Sequence, residues 1–519
     1  MTLNTPHIDW FGLSPVLTLI GASFASLLCA VLVPRAARRL AGAGIAAAGF
    51  SAGIVLAVWL YIDSADGHTI AADAYYRDRW TSLGQIIIFA VGLATALVAV
   101  EHIPGWRRGA ELKAGSAGGG ATGARPEERL ARRDDHVAEF FALLLASAAG
   151  MAFFVGAANL ITLFLSLEWF SITLYVMCAI DYDLEGALEA GLKYLIIGSF
   201  GAAALLFGSA LVYGATGTVS FQGIATAIGS QGLTGDTFVV VGIALMIAGL
   251  GFKMSAAPFH MWTPDVYEGA PTTVTAWMSS ATKVAALLLT FRLMTTAFAH
   301  DQHLWGWAFA IIATISLAIG NFAALVQKNV KRILAYSAIA QAGFMLIGLS
   351  TGSALGGRAL MYYLIPYSAA AFGSFAIVAA RERELGVPVT LENLAGFGWE
   401  RPFLGVAMWF FVFGFAGLPL TGGFVGKFYV FAAAYQHGWV WLVIVGVLAT
   451  LVSLYYYLAI VRAMYMRPSA ELALVGGSPP RERLLHLAVG AALVVAVGSL
   501  FAVQPLIDLA QHAASALPL

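Results

Sequence analysis

Seven lysines are spread over 519 residues, and four of them, Lys193, Lys253, Lys283 and Lys427, stand within or near the ends of long apolar segments. A charge at the centre of a bilayer costs roughly 2.5–3.5 kcal/mol on insertion scales, so a position that needed only bulk would carry leucine. Arginine keeps almost wholly to the polar stretches, with Arg292 the main exception. The choice of lysine is informative: a lysine in a low-dielectric site can release its proton, and an arginine cannot. These residue types point to proton transfer.

Acidic residues supply counter-charges. Glu168, in "ITLFLSLEWFSITLYV", is about ten residues from either end of its apolar run and needs a partner at that depth; the membrane lysines are the candidates. Glu189 and Lys193 are spaced i, i+4 on one helix face, a local salt bridge or part of the transfer path. The stretch "GLGFKMSAAPFHMWTPDVYEGAP" (249–271) carries Lys253 and then Pro258. A helix broken at membrane depth survives only beside protein or water, so a hydrated cavity is expected near Lys253. His260 either extends a proton path or ends a helix. Asp265 and Glu268, among prolines and glycine, read as capping and loop anchors rather than catalysts.

The elements that must position these side chains are membrane helices. The chain is 60% hydrophobic and 11% charged, a composition for a polytopic membrane protein. Apolar runs long enough to span a bilayer fall at 13–33, 43–62, 81–101, 137–156, 158–180, 187–213, 237–257, 272–297, 304–326, 329–350, 358–380, 401–434, 438–466 and 484–505, about fourteen helices with no soluble domain. The first lacks the basic flank and cleavage site of a signal peptide and reads as retained. Residues 102–136 form a glycine-rich, then charged, linker without a phosphate-binding Gly-Lys-Ser/Thr ending. Cys29 and Cys178 sit in apolar runs and read as core residues. Zero net charge gives no argument for nucleic acid. With both termini outside, nineteen loop cations, from Arg35 to Arg483, lie inside against Arg77, Arg79 and Arg358 outside. The positive-inside rule therefore places both ends away from the cytoplasm.

A weak internal echo links Lys253 in "IAGLGFKMSAAPF" to Lys427 in "GFAGLPLTGGFVGKFYVF", a shift of 174 residues. Both are apolar segments with a lysine beside glycines and a proline, Pro258 or Pro419, as in inverted-repeat transporters. The same shift carries Glu168 to a position beside Gln341.

The string 249–271, followed by "SSATKVAA", resembles the antiporter-like subunit N of bacterial NADH-quinone oxidoreductase, respiratory complex I. So do "LEAGLKYLIIGSF", "GNFAALVQKNVKRILAYSAIAQAGF" and "AGLPLTGGFVGKFYVFAAA". The resemblance spans about 140–465 in order. It implies an all-α fold with two inverted five-helix repeats and discontinuous helices at Lys253 and Lys427. It also implies proton transfer through Glu168, Lys253, Lys283 and Lys427. Where relatives often have histidine, this chain has Gln341 in "SAIAQAG", which orders water but does not titrate.

The units expected are 1–136 (three helices and the linker), 137–297 and 304–466 (the repeats), and 467–519 (a loop and last helix). The function implied is a proton-translocating subunit in a bacterial inner membrane, coupled to quinone reduction elsewhere. The sequence has no haem ligand pair, iron–sulfur cysteine set or dinucleotide fingerprint. NADH, FMN, iron–sulfur clusters and quinone are therefore expected in partner subunits, alongside further antiporter-like subunits and lipids. Three rivals compete: a multisubunit cation/proton antiporter, a non-pumping scaffold, and a solute carrier, for which no convergent polar cluster is seen beyond the lysine–glutamate axis.

Overall fold

The computed structural model describes residues 8–64, 67–101, 137–181, 185–466 and 482–518. The 102–136 linker, with Arg107, Arg108, Lys113, Arg125, Arg129, Arg132 and Arg133, lies outside the described residues, as do Arg467 and Arg481.

The chain opens with α1 (Trp10–Leu32) and α2 (Arg35–Asp63). The Asp9 carboxylate caps α1 by accepting from the Gly12 N–H at 3.0 Å. A short antiparallel hairpin, β1 (His68–Ile70) and β2 (Tyr75–Arg77), leads into α3 (Arg79–Glu101). Then come α4 (Val137–Val155), α5 (Leu160–Cys178) and the long α6 (Glu185–Thr216). A short α7 (Phe221–Gln231) precedes α8 (Thr237–Met254) and α9 (Trp262–Gly269), two halves of one interrupted helix. The helix α10 (Thr272–Trp277) passes through a π-helical turn, Met278–Thr282, into α11 (Lys283–Thr296).

The second half of the chain follows the same order. It runs α12 (Gln302–Leu325), α13 (Val330–Ser350) and α14 (Ala354–Leu385), then the interrupted pair α15 (Pro402–Ala416) and α16 (Gly422–Gln436), and α17 (Val440–Met466). The helices α18 (Arg483–Phe501) and α19 (Val503–Ala514) close the chain. Among the described residues thirteen helices are long and apolar enough to cross a bilayer. The α15/α16 pair supplies a fourteenth crossing, so the expected number and class hold.

Two five-crossing units are visible, α4 to α11 and α12 to α17. An odd number of crossings starts the second unit on the opposite side of the bilayer, which makes the repeat inverted. Matching local structure fixes its register. Asn159 caps α5 through the Thr162 N–H, and Asn329 caps α13 through the Arg332 N–H. The Leu160 N–H donates to the Val219 carbonyl at 2.9 Å, and the Val330 N–H donates to the Val389 carbonyl at the same distance. Antiparallel bridges then join Asn159 to Ser220 and Asn329 to Thr390. Every member of the second set lies 170 positions after the first. The helices α6 and α14 are both 32 residues long.

This corrects the 174-residue echo. At a shift of 170, Glu168 corresponds to Ala338 rather than to a position beside Gln341. Lys253 lies in the last turn before its break, whereas Lys427 lies in α16, after its break. The two lysines are not repeat equivalents; each unit puts a lysine on a different side of the interruption.

The core sits where the units meet. The segment Thr272–Thr296 is fully enclosed, and Val330–Ser350 and Ala354–Leu385 nearly so. Helices apolar on all faces are interior helices, and these three form a spine flanked by both breaks. By contrast α1, α2, α6 and α17 leave rows of large apolar side chains exposed, such as Phe24, Trp59, Phe200 and Tyr455; a bilayer or neighbouring subunits cover such faces.

Candidate proton-transfer site

Lys253 is 2% exposed. Its Nζ lies 5.0 Å from the ring centroid of Tyr194 and 5.3–5.4 Å from those of Phe252, Phe170 and Tyr175. Helices α5, α6 and α8 each contribute to this box, and Trp262 of α9 stacks on Tyr194 to close it. Cation–π attraction is worth roughly 0.5–2 kcal/mol per favourable ring, so the rings hold the ammonium without taking its proton. The sequence led to an expectation of a water-lined cavity here. The structure instead encloses Lys253 in aromatic side chains among orphaned polar atoms. Among the described residues, Nζ of Lys253, Oε1 of Glu168, the Tyr194 hydroxyl and Thr263 Oγ1 are buried without a hydrogen-bond partner. Such groups need partners from water or from a proton in transit.

Glu168 is half-buried on α5, on the face that carries the exposed Leu165 and Ile172. Among the described residues no ion pair joins it to Lys253 or to any other lysine. The expected counter-charge is therefore near the box without closing a salt bridge.

The breaks explain the other two lysines. Ser255, with φ +61°, ends α8 three residues before Pro258. Gly417, with φ +76°, ends α15 two residues before Pro419. Each break frees carbonyls at a helix C-terminus, where a cation is favoured. Lys283, fully buried, donates from Nζ to the Met254 carbonyl at 3.2 Å. Lys427, 3% exposed, donates to the Ala416 carbonyl at 3.3 Å and lies 3.8 Å from the Phe344 ring centroid. In both units the last carbonyl before the interruption thus receives a lysine. His260 lies in the first break, half-buried, with Nδ1 unpartnered; beside it Pro258 and Met261 reach the molecular surface.

Lys193 is different. It is 39% exposed and pairs with Glu189 at 2.6 Å and with Asp265 at 2.8 Å. Asp265 also pairs with Arg332 at 3.0 Å, and Arg332 with Glu268 at 2.7 Å. The Asn329 side-chain amide donates to Glu268 as well. Asp265 and Glu268 therefore anchor α9 to the N-terminus of α13, as their setting among prolines suggested. Close by, Lys331, in the first turn of α13, is a buried cation. Its Nζ reaches Glu382 at 3.3 Å and Thr272 Oγ1 at 3.2 Å.

Gln341 is fully buried on α13. Its Nε2 donates to the Phe415 carbonyl at 2.9 Å and to the Tyr457 hydroxyl at 3.1 Å, while Oε1 accepts from Tyr363 at 2.6 Å. Tyr363, Tyr457 and Ser337 of this group were not picked out from the sequence, since tyrosines and serines in apolar helices carry no charge to mark them. Arg292, flagged as an exception, has a partner 214 residues away. Its Nη2 donates to both oxygens of Asp78 at 2.7 and 2.6 Å, and its Nη1 to Thr81 Oγ1 and the Val155 carbonyl, each at 2.9 Å.

Comparison with known proteins places this geometry. The family model described as NADH:quinone oxidoreductase/Mrp antiporter, transmembrane, matches residues 157–453. The NADH-quinone oxidoreductase subunit N of Trichlorobacter lovleyi is 41% identical over 345 residues, 66% of this chain and 71% of that protein. The subunit N of Mycobacterium tuberculosis is 35% identical with the full length of both chains covered. Among solved structures, a chain of respiratory complex I from Thermus thermophilus with bound aureothin superposes with a TM-score of 0.75 at 29% identity, covering 96% of this chain and 99% of that one.

Proposed function

This chain belongs to the NADH-quinone oxidoreductase subunit N family, and from that premise we propose that it moves protons across the membrane through a buried Glu/Lys axis. Protons enter from the cytoplasmic side near Glu168 and the Lys253 box, pass to Lys283 and reach Lys427. Glu189, Lys193, His260 and Gln341 support this path without carrying its main steps. The observation that carries the reading is the placement of three buried lysines, one in an aromatic box and two on carbonyls freed by helix breaks. Each can hold a proton without a carboxylate locked on to it, so each can pass it on.

The energy comes from quinone reduction in partner subunits, where NADH, FMN, iron–sulfur clusters and quinone reside. The partners are other membrane-arm subunits, further antiporter-like chains among them, with lipids around the exposed faces and the basic inner ends. The setting is a bacterial inner membrane with both termini on the outer side, a reading supported by the cation distribution. The working units are 137–297 and 304–466, with 1–136 and 467–519 flanking them.

A sodium test separates this from the related antiporter reading. Inverted vesicles holding the intact assembly are energised with NADH, and proton uptake is followed with and without sodium. Uptake that needs NADH and is indifferent to sodium is the expected result. Uptake that tracks a sodium gradient, with or without NADH, refutes the proposal in favour of cation/proton exchange.

A further inference from the structure

A small cavity lies between the two repeat units, lined by Ser279 of the π-helical turn, Ser337 of α13, Tyr367 and Ser374 of α14, and Phe415 of α15. It has room for about one water molecule. Ser279 is one helical turn before Lys283, and Phe415 is the residue before Ala416, whose carbonyl receives Lys427. The cavity therefore stands between the two lysines that the reading above, on which this inference rests, connects by proton transfer.

Its polar groups have a definite hydrogen-bond order. Ser279 and Ser374 donate to carbonyls of their own helices, at Ala276 and Ala370, and Tyr367 donates to the Ser279 carbonyl at 3.1 Å. All three hydroxyl oxygens keep lone pairs with which to accept. Ser337 Oγ lies 2.5 Å from the Tyr457 hydroxyl. Gln341 biases which of those two donates. The Phe415 carbonyl can only accept, so the Gln341 nitrogen must face it, and that same nitrogen donates to the Tyr457 oxygen. Oε1 of Gln341 is in turn held by Tyr363. With its oxygen facing that amide, the Tyr457 hydroxyl can donate to Ser337 Oγ or to the neighbouring Tyr456 hydroxyl, whose own proton goes to Asn321 Oδ1. When Tyr457 donates to Ser337, the Ser337 proton is free to point into the cavity.

We propose that the Ser337–Tyr457 hydroxyl pair, opening on this cavity, is the proton junction between the two halves of the chain, with Gln341 as the positioning residue that orients it. In the resting order a proton bonds to the Tyr457 oxygen from the Lys427 side, the Tyr457 O–H proton moves to Ser337 Oγ, and the Ser337 proton moves to water in the cavity. Three O–H bonds form, two phenol and serine O–H bonds and the donor's own bond break, and the excess proton ends beside Ser279. Transfer from Lys283 toward Lys427, the direction proposed above, follows when both hydroxyls have turned: water in the cavity gives a proton to Ser337 Oγ, the Ser337 proton moves to the Tyr457 oxygen, and the Tyr457 proton leaves to water on the Lys427 side, again with three O–H bonds formed and three broken. The junction thus does with two hydroxyls and a fixed amide what a titratable side chain would do at Gln341.

The test uses the whole assembly in liposomes, recording NADH-driven proton uptake and quinone reduction together in H2O and D2O. The variants are Tyr457→Phe, Ser337→Ala, Ser337→Thr and Gln341→Leu, beside Lys283→Ala and Lys427→Ala, with assembly verified for each. Coupled uptake is expected to fall roughly tenfold or more in Tyr457→Phe and Ser337→Ala, and to be retained in Ser337→Thr, which keeps the hydroxyl. Gln341→Leu is expected to raise the solvent isotope effect, since an unheld hydroxyl must be reoriented at each transfer. Should Tyr457→Phe fail to assemble, the two Ser337 variants decide. Wild-type uptake in both Ser337→Ala and Tyr457→Phe while the lysine variants fall overturns the junction and leaves the lysine axis standing. Equal losses in Ser337→Ala and Ser337→Thr overturn it too, because packing then explains both. Wild-type uptake in all the variants, lysines included, overturns the proposed function itself.

Discussion

The buried pair between Asp78 and Arg292 offers the sharpest stability test. Arg292 is 1% and Asp78 2% exposed at the side chain, and the guanidinium also lies 4.5 Å from the Tyr76 ring centroid. The pair ties the start of α3 to α11, and the Val155 carbonyl brings in the end of α4. In Asp78→Asn the amide oxygen still accepts the Thr81 N–H that starts α3, which the Asp78 carboxylate accepts at 2.8 Å in the native chain. One of the two Arg292 bonds is lost, however, and the guanidinium stays buried without its counter-charge. Breaking such a pair costs about 3–5 kcal/mol, whereas replacing both partners by apolar side chains is often near neutral. Asp78→Asn should therefore lower the heat stability of the detergent-solubilised assembly well beyond a surface substitution, and Asp78→Leu with Arg292→Met should recover most of the loss. The assay is the temperature at which this chain becomes sensitive to protease. An Asp78→Asn chain as heat-resistant as wild type would falsify the assignment of this pair as a structural pin.

Gly417→Ala combines the cost of a left-handed residue, roughly 1–2 kcal/mol, with a Cβ 2.7 Å from Lys427 Cδ. Gly438→Ala, at φ +86° with open space around it, carries the backbone cost alone, so proton uptake should fall in the first and hold in the second. Asp265→Asn, in a network whose members are 27–64% exposed, should cost at most about 1 kcal/mol and less at high salt, read in the same heat assay. At the N-terminal end of α1, burial acts to raise the Asp9 pKa, but the Gly12 N–H and the Arg77 guanidinium hold it below the usual carboxylate value of 3.8. Because the folded form binds its proton less readily, the Asp9–Arg77 contact stabilises at and above about pH 4 and is lost as pH falls through the depressed value. Hydrogen exchange in β1 and β2 should accelerate only below that point.

Much of this fold is legible without coordinates, since an apolar run of bilayer length has few other uses. The expected 137–156 and 329–350 runs became Val137–Val155 and Val330–Ser350. The single run 401–434 divides at Gly417–Thr421, where glycine, proline and the lysine together marked an interruption. The repeat was visible but misregistered. Lysine is rare enough to catch attention, whereas the asparagine caps and short bridges that set the shift at 170 resemble any loop. The aromatic box was out of reach because Phe170, Tyr175, Tyr194 and Phe252 come from three helices and share no periodicity. Arg292 showed its cost in the sequence, but nothing there named Asp78. Lys331 was hidden by its position in the first turn of a helix, where a snorkelling lysine is the ordinary reading.

The central claim is that the buried lysines carry protons, and one comparison addresses it directly. Membranes with Lys253→Ala or Lys427→Ala are set against wild type, after intact assembly is verified, with NADH-driven quinone reduction and proton uptake into inverted vesicles recorded together. Collapse of turnover or of uptake with the assembly intact is the expected result. Wild-type values of both rates in both variants would make these lysines structural and contradict the account.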